Sequence, residues 1–334
     1  MKVAELRTTI RNHSKDQLEL LVVELYKAMP KSLREEQDID ALVRCPDAQE
    51  IRRIKSSKKE VLDFDCVADE ARTFISYAAH QYYFAPNMYV PKRERPKWRF
   101  VAKRLYRSLV QCAADPENLE PAADLVEELY LLLCKGCRVV LFSGDDPFGS
   151  VGIPQVEFLR QTLALRNRHM EKDKFVQKAV ALAVNGTTSR WTVTTDLLFV
   201  VLEFLAIPDL KLRAIAATQE LIAQRLSAYR SERDSRKRYR IEETVNDLTE
   251  LAFHCYAHLG EFEEGIEFFN THYTDKDEEV KLYVVVEALH HCYNQPELIL
   301  DQITKAMAKG VRPRSRLVKL AESIEHSLRE TDPR

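Results

Sequence analysis

LTELAFHCYAHLGEFEEGIEFFNTHY, residues 248–273, and LYVVVEALHHCYNQPELILDQITKAM, residues 282–307, decide how this chain is read. A shift of 34 positions lays one on the other, so that Leu248, Leu251, Ala252, Ile266 and Phe269 fall on Leu282, Val285, Val286, Leu300 and Ile303. Apolar positions three and four apart mark one face of a helix. Gly260 and Asn294, in the middle of each stretch, carry turn chemistry. Each unit therefore reads as helix, short turn, helix. A period of this length belongs to helical pairs that bury their apolar faces against one another.

The rest of the composition agrees with that reading. Glycine is scarce, 8 in 334 residues, and four of the eight (Gly136, Gly144, Gly149, Gly152) are concentrated in one short region. Few glycines means few tight hairpin turns, which disfavours a β architecture. Hydrophobic residues make up 45% of the chain, enough for a sizeable core. The expected fold is all-α: a helical N-terminal domain over residues 1–140, then an α-solenoid-like array of helix pairs over 154–334. Its two repeated helix-pair units fall near 245–274 and 279–310. The boundary is placed at 137–154, where Gly144, Asp145, Asp146, Pro147, Gly149 and Pro154 cluster.

In chain order, Ser14 and Gln17 form a capping-box pattern before Leu18, Leu21, Val22 and Leu25. Helices are predicted across Leu33–Val43, Asp47–Lys59 and Asp63–Phe84, the last stopping before Pro86. Another follows from Lys97 to about Ala114, with Trp98, Val101, Ala102, Leu105 and Leu109 on its apolar face. Asp115–Glu128 holds six acids and no base, and Pro121 suits the first turn of a helix that closes at Gly136. Val139–Phe142 reads as a short extended segment. Beyond the boundary, helices are expected over Gln155–His169, Lys172–Val184, Thr195–Ala206 and Pro208–Arg230. Tyr229–Arg240 is cationic and reads as a helix continuation or a solvated linker.

Leu259-Gly260-Glu261-Phe262-Glu263-Glu264-Gly265-Ile266 resembles the turn and second helix of a tetratricopeptide repeat, with Tyr256, Gly265 and Phe269 at matching positions. Phe253 and His272 depart from the small residues of that pattern. The ending Met307 to Pro313 of the next unit is similar to that of a pentatricopeptide repeat. Separately, the first ~140 residues resemble a bacterial helical family of unknown function. That resemblance rests on Ser14-Lys15-Asp16-Gln17-Leu18 with Leu25-Tyr26, then Tyr83-Phe84, Arg95-Pro96-Lys97 with Arg99, Ala102-Lys103 and Asp115-Pro116. It implies a helical fold and no activity.

Candidate chemistry is sparse. Cys134 and Cys137 form a C-x-x-C without the second ligand pair that zinc requires, at the end of a helix rather than its start. His254 and His258 share a helical face and permit chelation, and His290, His291 and Cys292 occupy similar places in the next unit. No acid completes a metalloprotease pattern, so helix-packing histidines are the simpler reading. Ser143-Gly144-Asp145-Asp146 lacks the ligand spacing of a calcium loop and reads as a solvated turn. No catalytic residue, cofactor, metal or small-molecule substrate is indicated.

The strongest surface signal is Pro91–Arg107, with eight Lys/Arg against one acid, Glu94. Lys92, Arg93, Arg95, Lys97, Arg99, Lys103 and Arg107 are the candidate partner- or nucleic-acid-binding residues. Arg230–Arg240 and Lys305–Lys319 add two further basic patches. With a net charge of −2, neutralisation by the acidic runs at Asp115–Glu128 and Asp275–Glu279 is the competing account. The expected function is a non-enzymatic scaffold that binds another protein through its helical-repeat surface. Nucleic-acid binding through the basic patches is the alternative, and an enzyme with an unrecognised site comes third. No apolar run is long enough for a bilayer and no signal peptide is evident, so a cytoplasmic location is expected.

Overall fold

The computed structural model describes residues 5, 9–30, 34, 39, 43 and 62–331. The chain divides into two compact units, Met1–Val61 and Leu62–Arg334. The regular secondary structure among the described residues is helical throughout, so the all-α expectation holds. The helices expected at Leu33–Val43 and Asp47–Lys59 lie outside the described residues, apart from isolated positions.

In the first unit, α1 spans Lys15–Ala28. Its start is the capping box read from sequence: Gln17 N donates to Ser14 Oγ at 3.3 Å, and Ser14 N donates to Gln17 Oε1 at 2.9 Å. Two amide donors that a helix start leaves orphaned are thereby satisfied.

The second unit opens with α2 (Phe64–Ala79), a 3₁₀ turn (Arg95–Lys97), α3 (Trp98–Cys112) and α4 (Leu119–Gly136). α2 is shorter than expected and stops before Phe84. His80 caps it, Gln81 enters the left-handed region at φ 62°, and Tyr82 N donates to Tyr77 O while Gln81 N donates to Ala78 O. This is a Schellman end without the usual glycine. The Gln81 side chain compensates by donating to Val140 O at 2.9 Å, a partner 59 residues away. No local pattern could have revealed that bond.

Of the face read from sequence, α3 buries Trp98, Ala102, Leu105 and Leu109 and half-buries Val101, and it packs on α2 and α4. Trp98 lies flat on Phe142, ring centroids 3.8 Å apart. Phe142 belongs to the loop expected to divide the chain. That loop lies inside the second unit, and its segment 139–142 is turn and coil rather than strand. Leu141, Phe142, Phe148 and Val151 are all buried, so the Gly- and Pro-rich residues turn the chain while apolar ones anchor it. A five-residue helix, α5 (Pro147–Val151), sits within it, capped by Asp146, which accepts from Gly149 N. That cap occupies a carboxylate of the Ser143–Asp146 turn.

From here the helices form an α-solenoid-like array, each packing on helices one to three places along the chain: α6 (Gln155–His169), α7 (Lys172–Asn185), α8 (Thr194–Phe204), α9 (Pro208–Ser231) and α10 (Ser235–Leu259). The cationic stretch 229–240 is neither one helix nor a linker. Asp234 breaks it, accepting from Arg236 N and Lys237 N to start α10. α11 (Phe262–His272) folds back on α10 across Gly260, φ 84°. The next hairpin is α12 (Glu278–Ala288), a π turn (Leu289–Tyr293) and α13 (Pro296–Ala308), closed by Asn294 at φ 50°. α14 (Ser315–Thr331) packs on α13. Gly265 lets α10 and α11 touch, since a Cβ there would stand 2.9 Å from Tyr256 Cβ. One buried cluster runs from Val67 to Phe268, and a second joins Phe253, Ile266 and Phe269 to α12, α13 and Leu317.

Candidate functional site

The basic stretch begins in the loop between α2 and α3, and one side chain organises that loop. Asn87 donates through Nδ2 to Tyr82 O and Ala85 O, both at 2.7 Å, and its Oδ1 accepts from Tyr89 N and Val90 N. Arg95 reaches back to Val90 O at 3.1 Å and Asn87 O at 3.3 Å. With Pro86, Pro91 and Pro96 limiting backbone freedom and Val90 buried, the loop has a fixed shape despite its exposure.

The cationic residues have unequal duties. Arg95 is half-buried and braces the loop, and Arg104 forms a two-pronged ion pair with Glu70 of α2. The Glu70 carboxyl is held below its usual range chiefly by that hydrogen bond. Lys97 pairs with Glu94 at 3.1 Å, Arg93 lies 3.4 Å from the same carboxylate, and Lys103 donates to Gly152 O at 3.4 Å. Lys92, Arg99 and Arg107 are exposed and carry no ion pair among the described residues.

Among the described residues, no acid of the run downstream forms an ion pair with this strip. Two of its acids pair elsewhere: Arg166 of α6 binds Asp124 and Glu127, and Lys178 of α7 meets Glu127 at 2.9 Å. Arg166 and Glu127 are both buried, so this network ties three helices together. Of the second acidic run, Glu279 binds Arg314 at 2.5 Å from the basic stretch 305–319, where neutralisation does occur.

Of the aromatics interleaved with these cations in the sequence, Trp98, Phe100 and Tyr106, Phe100 stands exposed while Trp98 is buried. What sequence reading missed is the exposed apolar residues of the loop before them. Phe84, Met88, Tyr89 and Phe100 are exposed by 50, 88, 54 and 60%, all within 17 residues of chain around the free cations. Tyr82 and Tyr89 stack at 4.6 Å, with His80 on Tyr82 and Tyr77 beside both. The Arg99 guanidinium covers Phe100, 4.9 Å from its ring centre. Large apolar side chains held in water by a braced loop are an interaction signature. The available signal was Tyr82–Tyr89 itself, a dense aromatic run around Pro86.

The metal candidates separate. His254 is buried, its Nδ1 2.7 Å from Tyr293 Oη, and burial, with His258 nearby, drives its pKa down to about 4. It is a neutral packing group joining α10 to the π turn. Cys134 and Cys137 are free thiols, each pushed up to about 12 by burial, so neither is a reactive thiolate. Cys134 instead accepts from Gln155 Nε2 at 3.3 Å, while Gln155 Oε1 accepts from Ser189 N at 2.7 Å and pins the α7–α8 loop. Among the described residues, no group of three or more His, Cys, Asp or Glu side chains is placed to hold a metal ion. Nor is any helix there long and apolar enough to cross a membrane.

No family model, curated protein or solved structure matches this chain.

Proposed function

We propose that this chain is a helical interaction protein that docks a segment of another protein, one carrying acidic and apolar side chains, on the face formed by residues 84–100. The observation that carries the reading is the exposure of Phe84, Met88, Tyr89 and Phe100 beside Lys92, Arg93 and Arg99 on a loop braced by Asn87 and Arg95. Aromatic, Met and Arg side chains are the composition of protein-binding hot spots. Across the hairpins of 245–310, Met307 is the large apolar side chain that stands exposed, which makes that surface a weaker docking site.

A protein partner is favoured over nucleic acid for two reasons. Base stacking needs open aromatic faces, yet Tyr82 and Tyr89 lie on each other and Arg99 covers Phe100. Phosphate binding needs many free cations, and intramolecular duties occupy Arg95, Lys97 and Arg104.

Selection of displayed random peptides on the whole protein tests the reading. Enriched peptides should combine Asp or Glu with apolar residues, and Arg99→Glu with Phe100→Ser should lower their affinity by about tenfold or more. Peptides whose binding ignores these substitutions would refute the assignment. So would a single-stranded oligonucleotide whose salt-dependent binding the same substitutions abolish.

A further inference from the structure

The hairpin of α9 and α10 carries a second surface, separate from the 84–100 face. α9 has 24 residues and α10 has 25, joined by a turn at 232–234. Burial on α9 ends at Ile222 and on α10 begins at Val245, and no residue between them is buried. The end of the hairpin is therefore a spur of two helices outside the core. Leu226 and Ile241 pack back toward that core, and the Arg238 guanidinium lies 4.2 Å from the centre of the Tyr229 ring, so the spur has a packed seam.

Tyr229–Arg240 holds six bases and two acids, and the turn commits both acids to backbone amides. Glu232 Oε1 accepts from Arg233 N and Asp234 N, each at 2.9 Å, and Asp234 Oδ1 accepts from Arg236 N at 2.8 Å. The next two acids meet tyrosine hydroxyls: Tyr229 Oη donates to Glu242 at 2.5 Å, and Tyr239 donates to Glu243. Lys237 stands 3.9 Å from Glu232. Arg230, Arg233, Arg236 and Arg238 are left exposed, with no ion pair among the described residues. The first turn of α10 carries Arg236, Lys237 and Arg238 and no acid. A helix start favours acids, so these bases oppose the helix dipole and are not explained by stability.

Two open aromatic rings stand beside the arginines. Tyr239 is 61% exposed, and no ring or guanidinium covers it among the described residues. Trp191, in the α7–α8 loop, is 81% exposed, with Arg190 over its ring at 5.6 Å. That loop is held from beneath by the buried Gln155, which donates to Thr187 O at 3.1 Å and accepts from Ser189 N at 2.7 Å. Thr188 and Thr194, on either side of Trp191, line one groove together with Tyr239 and Arg240. Asp247 and Glu250 line it too and repel phosphate, which keeps an anionic strand on the rim rather than inside.

We propose that the α9–α10 turn and the α7–α8 loop bind single-stranded nucleic acid. Arg230, Arg233, Arg236 and Arg238 pair with its phosphates, and Tyr239 and Trp191 stack on unpaired bases. These are the free cations and open rings that the 84–100 face lacks. An acidic peptide would satisfy the guanidiniums but offers no bases to the rings. DNA and RNA strands share the chemistry and are separate arms of the test.

Fluorescence anisotropy of the whole protein with labelled DNA and RNA strands of about 12 nucleotides measures binding. Four neutralised phosphates predict a slope of log affinity against log salt of about −2.8, a loss of about 50-fold between 50 and 200 mM. Arg233→Gln with Arg236→Gln should halve that slope. Tyr239→Ser and Trp191→Ser should each weaken binding about fivefold or more and leave the slope unchanged. Trp98 is buried, so quenching of tryptophan emission by the strand reports Trp191. Arg99→Glu with Phe100→Ser should bind as the wild type does. No binding at 50 mM salt, a slope unchanged in the arginine variant, or full affinity in both aromatic variants would overturn the proposal. So would equal competition by polyglutamate, or loss of binding in Arg99→Glu with Phe100→Ser.

Discussion

Replacing Glu250 with glutamine should stabilise the protein, and the gain should depend on pH in a defined direction. In the folded chain burial raises this carboxyl from 4.5 to about 7. A group whose pKa is higher folded than unfolded contributes stability that is fully present below the unfolded pKa and is lost as pH rises through the folded one. The difference is worth about 3 kcal/mol at high pH. Glutamine has similar shape and never ionises, so it escapes that loss. It also removes a charge that repels Asp247, adding to the gain. Urea unfolding of both proteins at pH 4.5, 6, 7 and 8.5 measures the difference. It should be near zero at pH 4.5 and reach about 2–4 kcal/mol in favour of Glu250→Gln by pH 8.5. His254 responds in the opposite sense, its pKa falling from 6.5 to about 4, so its stabilisation is lost as pH drops through that window. Both proteins share His254, and its effect cancels in the difference. A difference that is flat with pH, or that favours the wild-type chain at pH 8.5, would refute the account of Glu250 as an unpaired, partly desolvated carboxylate.

Two further perturbations probe the scaffold. Arg166→Ala should destabilise the fold by about 3–5 kcal/mol, because Glu127 is left buried with one cation in place of two. Arg166→Met with Glu127→Leu should cost less than Arg166→Ala alone, and a larger loss in the double variant by urea unfolding would contradict the ion-pair explanation. At position 81, Gln81→Gly should be more stable than Gln81→Ala by about 1 kcal/mol, since both lose the bond to Val140 O but only glycine relieves φ 62°. Equal thermal midpoints for the two would mean that the backbone there carries no strain.

Much of the architecture was readable because its causes are local. Ser14 and Gln17 announce a helix start within four residues, and Gly260 and Asn294 mark turns whose left-handed geometry the structure displays. The buried face of α3 follows from the spacing of Trp98, Ala102, Leu105 and Leu109. The end of α2 was not readable, because the glutamine that terminates it is held by a carbonyl 59 residues further on. The loop at 137–154 shows the same limit: its composition marks a turn, while the burial of Phe142 against Trp98 depends on how helices meet.

For the functional surfaces the division is sharper. Sequence determined that residues 91–107 are rich in cations and that the chain is helical, since charge is additive along a segment and helical periodicity is local. Only the tertiary structure decided which of those cations remain free, because Glu70, Glu94 and the carbonyls of Asn87, Val90 and Gly152 claim the others. It alone assembled a groove between the α7–α8 loop, α10 and the α11–α12 loop, whose walls come from residues 138, 184–194, 239–250 and 273–276. Asp247 and Glu250, which line it, look like ordinary solvated acids on a helix until neighbouring segments partly cover them. Desolvation is a property of what surrounds a side chain, and those surroundings are supplied by distant parts of the chain.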